Sequence, residues 1–246
     1  MILFLTSQAT LSEYQDDIKI GSSLNNCNNF IENIKKYAKN ATNFAYIAND
    51  PNDFEDNDIS GKFVFEAFKQ QNFPLENLCV IDNRTKHLAQ QQLKNADIIF
   101  LRGGTLERQI NFVKDAGIDK ILKQTTATII GQSAGSMILS KNVYQYPETQ
   151  QEFCLKRFIN GVGFFDTMII PHFNPVCGTE LCDGSFNPLL DFFLPDSVGK
   201  QFLALENGSY ILKDQTSCKV FGNAYKIADG KVEQICQTNS CTNVNI

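Results

Sequence analysis

Along roughly the first half of the chain, short apolar runs alternate with stretches whose apolar residues recur at helical spacing. Met1–Leu5, Phe44–Ala48, Leu78–Asp82 and Asp97–Leu101 read as strands. Between them, Phe30, Ile34 and Tyr37, then Ile59, Phe63 and Ala67, then Leu106, Ile110 and Val113 each mark one face of a helix. Arg84–Ala96 reads as a polar, weakly patterned helix. Ala116-Gly117 closes the helix before it, and Ile118–Gln124 follows as a short helical turn. Repeated strand–helix units with continuously apolar strands predict an α/β fold: a mostly parallel sheet, helices on both faces, and ligands at the carboxyl ends of the strands.

The pattern is sharpest at Ala127–Ser140, ATIIGQSAGSMILS. The apolar run Ala127–Ile130 breaks at Gly131-Gln132-Ser133-Ala134-Gly135 and resumes as Met137-Ile138-Leu139 at helical spacing: strand, sharp turn, helix. A side chain at 131 or 135 would clash in so tight a reversal, so Ser133 is expected to stand clear of the sheet as a nucleophile. The first free amides of the following helix, and its dipole, would favour an oxyanion there. The plainer alternative is an ordinary Gly/Ser turn.

After Ser140 the character changes. Lys141–Phe158 is polar and aromatic without clear period and reads as a loop over the site. Thr167–Ile170 reads as a strand ending at Pro171-His172-Phe173-Asn174. Pro175–Asn187 reads as a loop, and Leu189–Leu194 as a short apolar helix. Gln201–Leu205, Ser209–Leu212, Lys219–Phe221 and Ala224–Glu233 suggest antiparallel strands finishing the sheet edge, with Asp229-Gly230 as a type I′ turn and Gln237–Ile246 as a frayed tail.

A serine needs a base within hydrogen-bond reach. The chain has two histidines. His172 stands at a strand end, where a parallel sheet presents functional groups, whereas His87 lies in a polar stretch and reads as solvated. Gly103-Gly104, between strand and helix, would let backbone amides approach a ligand and supply a second oxyanion donor beside the amide of Ala134. Arg102 reads either as a ligand for a substrate carboxylate or as a surface arginine. The carboxylate that orients the base could be Glu148, Glu152 or Asp166, and spacing alone does not choose.

Composition narrows the partners. The 246 residues suit one domain spanning 1–246, with 43% hydrophobic content and a net charge of −5. No basic stretch offsets that charge, which argues against nucleic acid or an anionic membrane as partner. No run approaches transmembrane length, and Met1–Leu5 is too short and lacks the basic start of a secretion signal. Eight cysteines without a C-x-x-C, and only two histidines, point to reduced thiols in a cytoplasm rather than to disulfides or zinc. The sequence leaves the oligomeric state unknown.

Taken together, GQSAGSMIL around Ser133, Phe100–Gly104 with its strand-then-Gly-Gly, IIPHFN around His172, LENGSYIL, GNAYKIADGKV and the opening MILFLTS resemble one family. It comprises the serine peptidases that include aspartyl dipeptidase (dipeptidase E) and cyanophycinase, on a class I glutamine amidotransferase-like fold. The resemblance implies Ser133 as nucleophile, His172 as general base and, about fifteen positions after the serine, Glu148 rather than Glu152 as the acid. It further implies an oxyanion hole at the Gly103 and Ala134 amides, an acyl-enzyme, no metal or organic cofactor, and a small peptide as substrate, with an N-terminal acidic residue preferred. Departures from the family pattern are Thr105 where relatives carry Asn after the two glycines, and Glu in place of Asp as the acid. Ile170-Pro171 looks like the dipeptidase side of the family. Alternatives are an amidase or amidotransferase-like hydrolase acting on a non-peptide amide, and a non-catalytic ligand-binding member of the same fold.

Overall fold

Alternation within each strand sorts side chains to two cores. The computed structural model describes residues 1–16 and 18–246. In it, Leu3 and Leu5, Ala45 and Ile47, Ile99 and Leu101, and Ile129 join one buried cluster. Phe4, Phe44 and Tyr46, Ile98 and Phe100, and Ile130 join another on the opposite face. Strands buried on both sides read as unbroken apolar runs, which is why these segments were legible. Burying one Phe or Leu contributes about 1.5–3 kcal/mol, so the two clusters supply most of what holds the sheet.

The strands Ile2–Thr6, Thr128–Gln132, Ile98–Leu101, Asn43–Ile47 and Asn77–Ile81 lie side by side in that order and are parallel. From the other edge of Ile2–Thr6 the sheet continues antiparallel through Tyr210–Lys213, Cys218–Phe221 and Cys241–Asn243. Helices Phe30–Ala38 and Phe54–Gln70 cover the aromatic face; Ala89–Asn95, Leu106–Asp115 and Ile118–Leu122 cover the other. The expected fold class is therefore present: a large, mostly parallel sheet with helices on both faces.

Gln201–Leu205 and Ala224–Glu233, expected at the edge of the first sheet, instead enter a second, four-stranded one built from Met168–Ile170, Gln201–Leu205, Ala224–Ala228 and Lys231–Cys236, the first pair parallel and the others antiparallel. Its buried residues join the same core as the second helical layer. The Asp229-Gly230 turn that links its last two strands has φ of 49° and 73°, as a type I′ turn requires.

Four segments differ from expectation. The helix Phe54–Gln70 buries Val64, Phe65, Ala67 and Phe68, whereas Ile59 is exposed, so the buried face is rotated from the one read. Lys141–Phe158 is more than a loop. Asn142–Tyr144 pairs with Phe158–Asn160, and Tyr144 is fully buried, stacked on Phe202 at 4.4 Å between ring centroids. The tail is not all frayed, because Cys241–Asn243 takes the sheet edge. Finally, Thr10–Gln15 and Ile18–Leu24, unassigned from sequence, form a hairpin beside the carboxyl ends of the parallel strands.

Candidate active site

At the end of Thr128–Gln132 the chain reverses through Ser133, whose φ of 53° and ψ of −120° are costly for any residue with a side chain. Neighbours hold it there. The Ser133 N–H donates to the carbonyl of Thr6 (3.0 Å), and the Ser133 carbonyl accepts from the N–H groups of Ser136 (2.9 Å) and Met137 (3.1 Å). Both flanking glycines are needed: a Cβ on Gly131 would lie 2.7 Å from the Gly135 carbonyl oxygen, and one on Gly135 would lie 2.2 Å from that of Leu101. The helix that follows, Ala134–Met137, is only four residues long. The helix-dipole contribution expected from sequence is correspondingly small, and any electrostatic help comes from individual amides.

Gly103 lies against the serine, since a Cβ there would come within 2.9 Å of Ser133 Cβ. Gly104 has φ of +141°, and a side chain there would run into Asn49 at 2.4 Å. Asn49 clamps the next residue: its Oδ1 accepts from Thr105 N–H (2.9 Å) and its Nδ2 donates to Thr105 O (3.1 Å). Among the described residues, no backbone carbonyl accepts from the amides of Gly103 or Gly104. As the first residue of its helix, Ala134 has no intrahelical acceptor either.

His172 follows the strand Met168–Ile170 and also has a left-handed backbone, φ 53°. Its Nε2 lies 2.9 Å from Ser133 Oγ and its Nδ1 lies 2.7 Å from Asn207 Oδ1. The network fixes the tautomer. The His172 N–H donates to Ser7 Oγ (2.7 Å), which leaves the Ser7 proton free for Asn207 Oδ1 (3.2 Å). On the other side, Asn207 Nδ2 donates to Glu180 Oε2 (2.6 Å). With the Asn207 carbonyl turned toward the ring, Nδ1 carries the proton and Nε2 accepts from Ser133. Burial holds the imidazole pKa below its usual value, partly opposed by the hydrogen bond to Asn207 and the charge of Glu180. The ring is therefore neutral and able to accept a proton at neutral pH.

The structure thus brings Ser133, His172 and Gly103 together with Ala134. It does not bring Glu148 to His172: Asn207 and Ser133 occupy both ring nitrogens, leaving no position for a carboxylate. Glu148 instead lines the cleft, where burial and then the charge of Glu152 push its pKa up. Asp166 is exposed and faces Lys141 at 3.6 Å. His87 is exposed and lies outside the cleft. Asn207, Glu180 and Ser7 were missed because Asn207-Gly208 carries an ordinary turn signal and Glu180 sits in a stretch without period.

The cleft, of about 760 Å³, opens over Ser133 and His172. Lys19 of the hairpin, Tyr46, Ser60 and Arg102 form one neighbouring group in its lining, with Arg102 ion-paired to Asp56. Among the described residues the fully buried Tyr46 hydroxyl has no partner within hydrogen-bond geometry, and burial raises its pKa, so it stays protonated. Gln145, Glu148 and Glu152 line the cleft as well. Among the described residues, no group of three or more His, Cys, Asp or Glu is arranged to hold a metal ion, and no helix is long and apolar enough to cross a membrane.

Comparison with known proteins agrees with this architecture. A crystallised peptidase from an acI-B1 Actinobacterium superposes with a TM-score of 0.61 at 13% identity, covering 99% of this chain and 96% of that one. A protein from Listeria monocytogenes EGD-e, provisionally described as a peptidase E, superposes with a TM-score of 0.57 at 16% identity, covering 95% of this chain and 98% of that one. At such identities these likenesses speak to the fold. No curated protein matches the chain significantly in sequence. The family model of peptidase family S51, however, matches residues 18–221. The chain accordingly belongs to peptidase family S51, the dipeptidase E family of serine peptidases, and is a hydrolase.

Proposed function

We propose that the chain is a serine exopeptidase acting on short peptides. The observation that carries this reading is the 2.9 Å approach of His172 Nε2 to Ser133 Oγ, with the other ring nitrogen held by Asn207. In the proposed reaction Ser133 Oγ attacks the peptide carbonyl while His172 takes its proton, and the amides of Gly103 and Ala134 receive the oxyanion. The tetrahedral intermediate collapses as His172 returns the proton to the leaving amine. Water, deprotonated by the same imidazole, then releases the acyl group. Asn207 is the third member, an amide where an acid was expected. It orients the ring without placing a charge on it, as the asparagine of Cys-His-Asn peptidases does.

Preference for an acidic N-terminal residue is supported by Lys19 and Arg102, two neighbouring cations in the cleft lining that share one carboxylate, Asp56. Eight unpaired cysteines fit a reducing compartment such as the cytoplasm. Ser133→Ala should abolish hydrolysis of a dipeptide panel while the thermal transition persists. A fluorophosphonate probe should label the unmodified chain at Ser133. Turnover by the Ala variant at the parental rate would overturn the assignment, and cleavage confined to non-peptide amides would redirect it.

A further inference from the structure

Glu148, displaced from the position at His172, is left with an unexplained environment. It is half-buried on the cleft wall, and among the described residues its carboxylate has neither a hydrogen bond nor an ion pair. Its neighbour Glu152 accepts from the Glu148 N–H (2.7 Å), which folds the short 3-10 turn Gln150–Cys154 back so that both carboxylates line the same cleft. Gln145, only 7% exposed, also lines it, and among the described residues its buried Oε1 has no hydrogen-bond partner. Among the described residues the cleft's cations, Lys19 and Arg102, form no ion pair with Glu148 or Glu152, and Arg102 is already paired with Asp56. Withdrawing carboxylates from water without a counter-charge is costly, so this wall awaits a cation from outside the chain.

We infer that Glu148, with Glu152 and Gln145, binds the free α-ammonium group of the peptide substrate. An ammonium offers three N–H donors and a positive charge, matching three acceptor side chains in one cleft. The arm that carries them is firmly seated. Tyr144 is buried and donates to Asp196 (2.8 Å), and the Tyr146 hydroxyl donates to the carbonyl of Pro171 (3.3 Å), the residue before His172. The acceptors are thus held in register with the base. Burial and Glu152 raise the Glu148 pKa, as expected of an acceptor whose counter-charge is absent. Glu148 then acts in specificity, restricting cleavage to the first peptide bond of a chain with an unblocked amino terminus.

This inference rests on the exopeptidase reading, and the test separates the two. The Ser133→Ala chain is titrated calorimetrically with Asp-Leu and with N-acetyl-Asp-Leu. The free dipeptide should bind at least 30-fold more tightly. Adding Glu148→Gln should weaken binding of the free dipeptide at least tenfold more than binding of the acetylated one, and Gln145→Leu should act in the same direction to a smaller extent. Equal affinity for the two peptides, no binding of either, or a Glu148→Gln effect equal on both would overturn the subsite. Fluorophosphonate labelling of the parental chain reports on Ser133 independently. If labelling fails while the calorimetric difference stands, the hydrolase reading falls and the ammonium site survives.

Discussion

Asn207 presents a neutral oxygen to the imidazole, and the one carboxylate that the described residues bring to this network, Glu180, acts through the amide from an exposed position. Asn207→Ala removes the group that selects the Nδ1–H tautomer. By analogy with loss of the correct tautomer in serine triads, a drop in kcat/KM of about 10²–10⁴ is expected. Because the imidazole pKa is depressed, activity is present above that pKa and is lost as pH falls through it, below the usual histidine range. Glu180→Gln removes an influence that raises the pKa and should move the acid limb of the kcat/KM profile lower still, by only a fraction of a unit because Glu180 is solvent-screened. Asn207→Asp places a carboxylate on Nδ1 and should move the limb up. A profile that ignores both substitutions would exclude this network from the reaction.

The elements of the proposed site were unequally visible in the sequence. The elbow was legible because its glycines answer a steric demand that two residues can state. His172 was legible because a strand end leads to it. The third member was not: the hydrogen bond from Nδ1 spans 35 positions, and neither Asn207 nor Glu180 belongs to a periodic segment. The hairpin Thr10–Gln15 with Ile18–Leu24 escaped for a different reason. Its outward residues include Leu11 and Tyr14, so alternation there does not separate inside from outside. The elbow also makes its own prediction. Ser133 holds a backbone conformation that glycine adopts without penalty, so Ser133→Gly should be more stable to denaturant than Ser133→Ala by about 1 kcal/mol or more. Equal midpoints for the two variants would mean that the turn is unstrained.

Across the whole molecule, the polar groups of one cleft come from separate elements: donors from the hairpin and the end of the large sheet, acceptors from the arm 142–160. If the ammonium subsite and the acidic preference both hold, a zwitterionic peptide would enter this cleft in one orientation, its amino end toward the arm. The pieces come from distant parts of the chain, so the choice depends on the fold being complete.

Ser133 rises from the eight-stranded sheet and His172 from the four-stranded one, and Ser7 spans the seam by accepting from the His172 N–H. The Ser133–His172 hydrogen bond is therefore a gauge of how closely the two sheets dock. A slip of about 1 Å across that seam would part nucleophile and base while leaving every strand intact. On titration with urea, hydrolysis should fade at lower concentrations than far-ultraviolet circular dichroism; coincident transitions would mean that the sheets separate only when the whole chain unfolds.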